Sequence, residues 1–88
     1  MHAAAWYGHA AVVALFLDAG VDVDVTNEAS GDTPLHAAAR RGKVEVIRVL
    51  LRAGANVSVR NKRGETPYDL ASNEETREAL QVEQKRTP

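Results

Sequence analysis

Three histidines, a tryptophan, two tyrosines and a scatter of carboxylates are the side chains of this 88-residue chain that could do chemistry. A metal held on one helical turn needs two ligands three or four residues apart. No second histidine stands at that spacing from His2, His9 or His36, and there is no cysteine. Paired-acid catalysis needs carboxylates converging in a cleft, whereas Asp18, Asp22 and Asp24 fall around a helix end and its following loop, where solvated acids are expected. The glycines at 31, 42, 54 and 64 lack the Lys-Ser/Thr that completes a phosphate-binding loop. No nucleophile is accompanied by a base and an orienting group. The sequence therefore predicts no enzyme, no cofactor and no metal.

Composition narrows the class. At 44% hydrophobic and 26% charged residues, the chain reads as one small globular domain. No run approaches the roughly 18 apolar residues of a membrane span, and the start, Met1-His2-Ala3-Ala4, lacks the positive charge of a signal peptide. With no disulfide available, an intracellular setting, cytoplasmic or nuclear, fits. The net charge of −1 conceals a segregation: residues 1–39 carry five acids and no Lys or Arg, residues 40–63 eight bases and one acid, and residues 64–88 six acids and three bases. A basic centre between acidic ends can steer an acidic partner, although charge blocks of this size also occur as plain solvated faces.

The elements that carry these residues repeat. His2-Ala3-Ala4-Ala5 returns as His36-Ala37-Ala38-Ala39, Gly8 as Gly42 and Ala19-Gly20 as Ala53-Gly54, all displaced by 34 positions. Gly31-Asp32-Thr33-Pro34-Leu35 returns as Gly64-Glu65-Thr66-Pro67-Tyr68, displaced by 33. One extra residue therefore lies between Asn27 and Gly31, in a loop. Thr33 is placed to cap a helix beginning at Pro34, which runs to Arg41 and ends at Gly42. A second helix follows from Val44 to Ala53 and closes at Gly54. An extended segment over 55–59 then leads to a turn from Asn61 to Gly64.

Thr33-Pro34-Leu35-His36-Ala37-Ala38, then Gly42, then Val49-Leu50-Leu51-Arg52-Ala53-Gly54-Ala55-Asn56-Val57 resembles the ankyrin repeat, with ordered motifs over roughly residues 1–80. The resemblance implies an all-α solenoid of helix-turn-helix units joined by short hairpin loops. It divides the chain into a first repeat lacking its front (1–26), a full repeat (27–60), a C-terminal capping repeat (61–80) and a polar tail (81–88). The third unit departs from the pattern, with Asp69 for the motif His, Ser72 for an Ala and Glu75 for the inter-helix Gly. Its charge suits an outer face turned to water. In the family the histidine hydrogen-bonds neighbouring backbone, and this is the role expected of His2 and His36. His9 is expected to open the second helix of its repeat.

The resemblance also implies where a partner binds, namely the hairpin tips and the exposed face of the first helices. Carried over, these positions are Trp6 and Tyr7 in the first unit, Arg40 and Arg41 in the second, and Asn73 and Glu74 in the third. At the tips they are Glu28, Ala29, Ser30 and Asp32, then Lys62, Arg63 and Glu65. Trp, Tyr and Arg dominate interface hot spots, and Arg40, Arg41, Lys62 and Arg63 form a basic strip suited to an acidic peptide. The competing readings are that Trp6 and Tyr7 pack onto the missing part of the first repeat or shield the core, and that the arginines are merely solvated. The function implied is a scaffold or adaptor that binds another protein. Alternatives are a C-terminal cap of a longer array with its partner contacts upstream, and nucleic-acid binding by the strip. The slightly acidic chain and the absence of a base-reading motif disfavour nucleic acid. Around Met1, Ala4, Val12, Val13 and Leu15 the truncated edge is expected to be apolar and uncovered, which implies either upstream repeats that cover it or self-association through it.

Overall fold

The Thr-Pro pairs at 33–34 and 66–67 set where two helices begin. In the computed structural model, which describes residues 1–85 and side-chain surroundings through Gln81, both pairs do so alike. Thr33 lies in extended backbone and Pro34 takes the first helical position. The Thr33 hydroxyl oxygen accepts from the His36 N–H, while the His36 ring accepts from the Thr33 N–H at Nδ1, 3.0 Å away. Two N–H groups that no helical carbonyl reaches are thereby paired.

The described residues form six helices and no strand: α1 (His2–Tyr7), α2 (Ala10–Asp18), α3 (Pro34–Arg41), α4 (Val44–Arg52), α5 (Pro67–Leu70) and α6 (Glu74–Lys85). First helices pack on first helices, α1 on α3 and α3 on α5, and second helices on second, α2 on α4 and α4 on α6. The result is the all-α stack of three helix pairs that the repeats imply. His9 stands at the N-terminal end of α2, as expected.

Inter-helix corners depend on glycine. Gly8 and Gly42 close α1 and α3 in the left-handed conformation, with φ of 79° and 64°. A Cβ on Gly42 would also crowd Ser72 Oγ at 3.1 Å. The third pair has no glycine there, and its corner is built differently. α5 stops after one turn at Leu70, Ala71 leaves in extended backbone, and Asn73 caps α6 by accepting from the Thr76 N–H at 2.9 Å. Asn73 and Glu74, aligned by motif with the groove-facing end of a first helix, are instead the cap and first residue of a second helix. The helix α6 also continues to Lys85, into the segment read as a polar tail, of which 86–88 lie outside the described residues.

The core is small-residue in its first layer and branched in its second. Ala4, Ala5, Ala37, Ala38 and Ala39 let the first helices approach closely, while Val13, Val46, Ile47 and Leu50 fill the space behind, joined by Leu35 and Leu80. Each large aliphatic side chain here contributes ~1.5–3 kcal/mol through burial. Ala4 and Val13, expected at an uncovered edge, are buried in the core cluster that also holds residues of α3 and α4. Val12 and Leu15 are exposed as expected, together with Phe16 and Val21.

Two loop expectations change. The segment 55–59 contains a turn rather than a continuous extended run, because Asn56 Oδ1 accepts from the Ser58 N–H at 2.8 Å. Asp22 makes the same turn with the Asp24 N–H at 2.9 Å, and Asp24 in turn accepts from the Asn56 N–H at 3.0 Å. Two of the three acids read as merely solvated thus organise and join the outer loops.

Asp69 holds the position of His36 in the third unit and keeps half of its function. Its Oδ2 accepts from the Thr66 N–H at 3.0 Å. That bond, then the Thr66 hydroxyl, and to a smaller extent the Arg60 charge hold the carboxyl below the usual aspartate range. A depressed carboxylate stabilises the fold above its unfolded pKa, and the contribution disappears as pH falls through the lower folded value. A carbon-detected NMR titration of Asp69 should therefore give a midpoint below that of an unperturbed aspartate, and Asp69→Asn should flatten the acid limb of the stability profile. An ordinary midpoint would rule out the charged cap.

Candidate functional site

The two hairpins position the tips of the site, and each is organised by an asparagine. Asn27 Oδ1 accepts from the Ala29 and Ser30 N–H groups at 2.8 and 3.2 Å, and Asn61 Oδ1 from those of Arg63 and Glu65 at 3.0 and 2.9 Å. The Asn27 N–H closes its hairpin on the Asp32 carbonyl, and the Asn61 N–H closes on that of Glu65. The extra residue of the first hairpin is absorbed inside that loop without disturbing a helix. Gly31, at φ 74°, allows the second hairpin to lie against the first, since a Cβ there would sit 2.9 Å from the Lys62 backbone nitrogen. The Lys62 N–H donates to the Ser30 carbonyl at 2.9 Å, and the Lys62 ammonium to that of Glu28.

Each hairpin is tied to the preceding first helix by a histidine. His2 Nε2 donates to the Asp32 carbonyl and His36 Nε2 to that of Glu65, both at 2.8 Å. Because His36 Nδ1 accepts from the Thr33 N–H, its proton resides on Nε2. Both histidines therefore serve the expected structural role, and no group of three or more metal-ligating side chains gathers among the described residues.

Between hairpins and first helices lies a concavity of about 460 Å³. Trp6 and Arg40 form its helical side, Ala29, Ser30, Asp32, Lys62 and Arg63 its tip side, and Asn61 lies between. A second recess of about 230 Å³ shares Trp6, Ser30 and Asp32 and extends the hollow towards His2 and Ala3. The Arg41 guanidinium lies over the Trp6 ring, 4.8 Å from its centroid, a cation–π pair. Six of the nine partner-binding candidates, Trp6, Ser30, Asp32, Arg40, Lys62 and Arg63, are thus brought to one hollow. Arg41 adjoins it through Trp6 and Glu65 through Arg40. Tyr7 does not line it; it is 62% exposed and its ring lies near that of His9, 6.4 Å between centroids.

The basic strip is not uniform. Arg40 lies 3.4 Å from Asp32 and 3.8 Å from Glu65, so two carboxylates offset its charge. Its Nε is buried without a hydrogen-bond partner among the described residues. Arg41, Lys62 and Arg63 remain to present positive charge, on either side of this neutralised centre. A residue that the motif comparison did not select, Asn61, is buried and joins both sides: its Nδ2 donates to Asp32 at 2.9 Å and to Glu65 at 3.0 Å. The signal for it was the return of Asn27 as Asn61 at the repeat spacing.

Helix pairs joined by histidine-to-carbonyl bonds, with hairpin tips beside their first helices, define a helical repeat stack. The chain matches ankyrin repeats in three copies across residues 1–82, and it belongs to the ankyrin-repeat family. Repeats of this family are generally protein–protein interaction modules and are typically non-catalytic. A comparison with curated proteins finds no match. No helix among the described residues is long and apolar enough to cross a membrane.

Proposed function

We propose that this chain is a non-catalytic interaction module of a scaffold or adaptor, and that it takes an acidic peptide segment of another protein into the groove between its first helices and hairpin tips. The observation that carries the reading is the Trp6–Arg41 pair beside a hollow whose outer rim bears Lys62 and Arg63. Trp6 supplies apolar contact with little rotamer freedom to lose, and Arg41 is held over it, so ordering costs on binding are small. Lys62 and Arg63 attract the partner's carboxylates. Ser30 adds a polar contact, and Tyr7 extends the surface beyond the rim. Arg40 with Asp32 and Glu65 forms a mixed-charge floor that rejects a partner presenting a lone buried charge there. An intracellular setting, in cytoplasm or nucleus, belongs to the same proposal.

The test is binding of an acidic peptide library to the wild type and to Trp6→Ala combined with Arg41→Ala, with helicity checked by circular dichroism. Loss of an aromatic–arginine hot spot should weaken binding by more than about 10-fold, and Arg63→Glu should weaken it further in low salt than in high. Equal binding by folded wild type and double variant would overturn the groove assignment.

A second reading, that the segment closes the C-terminal end of a longer array with partner contacts upstream, is favoured by Asp69. Where His36 both caps its helix and donates to the next hairpin, Asp69 retains the cap and carries no donor for a following hairpin. The exposed Glu74, Glu75 and Glu78 on α6 suit a face turned to water.

A further inference from the structure

We infer that the groove reads the order of side chains in its peptide, taking one whose carboxylates all lie to one side of a large apolar residue, about two to three positions from it. The inference rests on the groove reading above and names which acidic peptides the groove accepts. Equivalent positions of the two units provide an internal comparison. Trp6 and Tyr7 on α1 return 34 positions later as Arg40 and Arg41 on α3. Counted back from Gly31 and Gly64, which share the left-handed conformation at φ 74° and 76°, Ala29 and Ser30 of the first hairpin return as Lys62 and Arg63. Four uncharged side chains thus give way to four cations within one repeat, while the acid that follows each glycine, Asp32 or Glu65, is kept.

The fold sets these two groups side by side along the stack, because α1 packs on α3 and the Lys62 N–H holds the second hairpin to the Ser30 carbonyl at 2.9 Å. In the recess of about 230 Å³, Ala3, Trp6 and Ala37 give apolar walls and Asp32 a carboxylate, and among the described residues no Lys or Arg lines it. The larger hollow shares Trp6 and adds Arg40, Lys62 and Arg63. Asp32 and Glu65 offset Arg40, so Arg41, Lys62 and Arg63 are the cations that a partner's carboxylate meets. An apolar side chain of the partner therefore seats by Trp6 on the first unit, and its acids fall on the second. Packed helices lie about 8–10 Å apart and an extended chain advances about 3.3 Å per residue, which sets the spacing. An acid on the other side of the apolar residue would enter the recess lined by Asp32, beside a hairpin whose exposed tip carries Glu28. Like charge there rejects it.

Two synthetic peptides of one composition test this, each with a single phenylalanine and two glutamates in a glycine–serine background. The first carries both glutamates on the same side of the phenylalanine at the stated spacing; the second carries one on each side. Titrated into the isotope-labelled 88-residue chain and followed by NMR at low salt, the first should bind several-fold more tightly, and the difference should shrink in high salt. Ala29→Lys combined with Ser30→Arg gives the first hairpin the charges of the second. With helicity intact by circular dichroism, this variant should close the gap by tightening the split peptide, an effect that a merely structural role of the hairpin would not produce. Equal binding of the two peptides by the wild type would leave the groove in place and overturn the inference, as would a gap that the folded double variant preserves. Failure of both peptides to perturb any groove residue would remove the groove reading itself, and the inference with it.

Discussion

Replacing His36 by alanine is expected to destabilise the fold by about 3–5 kcal/mol, adding the cavity left by a buried ring to an orphaned backbone N–H and a lost bond to the next hairpin. His36 is fully buried, and its two ring nitrogens serve different parts of the molecule. Nδ1 accepts from the Thr33 N–H at the start of α3, and Nε2 donates to the Glu65 carbonyl in the second hairpin. Alanine leaves the buried Thr33 N–H without a partner and takes from the Glu65 carbonyl one of its two donors, the other being the Asn61 N–H. Small domains have roughly 0.05–0.15 kcal/mol of stability per residue, so the loss is a large fraction of the whole. Urea melts followed by circular dichroism measure it. His36→Gln should recover part of the loss, since Gln at this position completes a capping box but cannot reproduce the rigid bridge to the hairpin. His2→Ala should cost clearly less, because His2 is only half-buried and makes the hairpin bond alone. A loss below about 1 kcal/mol for His36→Ala, within the range of an ordinary surface change, would show that the bridge is dispensable.

Asn61→Ala is expected to cost about 2–4 kcal/mol, from the unsatisfied buried groups it leaves, and to weaken groove binding while every proposed contact residue is still present. Its oxygen orders the hairpin through two N–H groups, and its amide nitrogen separates the carboxylates of Asp32 and Glu65. Without it those two carboxylates share only Arg40, which lies 3.4 and 3.8 Å from them. Asn61→Asp should destabilise through charge repulsion among three neighbouring carboxylates, an effect that acid relieves as they protonate. Urea melts at neutral and mildly acidic pH separate the two variants. An Asn61→Asp protein as stable as the wild type at neutral pH would contradict the arrangement of these groups around the amide.

Arg40 illustrates how an expected position can carry a changed role. The motif places it on the groove, and it is there, but facing Asp32 and Glu65 it offers little net charge to a partner. The free positive charge is divided between Arg41 on the helix side and Lys62 and Arg63 at the tip.

The local sequence by itself determined where the first helices of the second and third units begin and where those of the first and second units end. Thr33-Pro34 and Thr66-Pro67 act through their own backbone, and Gly8 and Gly42 through a conformation that other residues resist, so these signals need no distant partner. Its 34-residue repeat also determined the stacking order, because equivalent residues meet equivalent neighbours one unit on, and the ankyrin resemblance implied the backbone bonds of His2 and His36. The tertiary structure alone decided what depends on meeting across units. It revealed the pairing of Arg40 with two carboxylates from different hairpins, the burial of Asn61 between them, and the placement of Arg41 over Trp6. It also placed Asn73 as the cap of α6, because a corner without glycine must be turned by another route. Ala4 and Val13 went inside, while Val12, Leu15 and Phe16 stayed outside, since burial depends on which side of a helix has a neighbour, and a helix's own sequence records only that it has an apolar face.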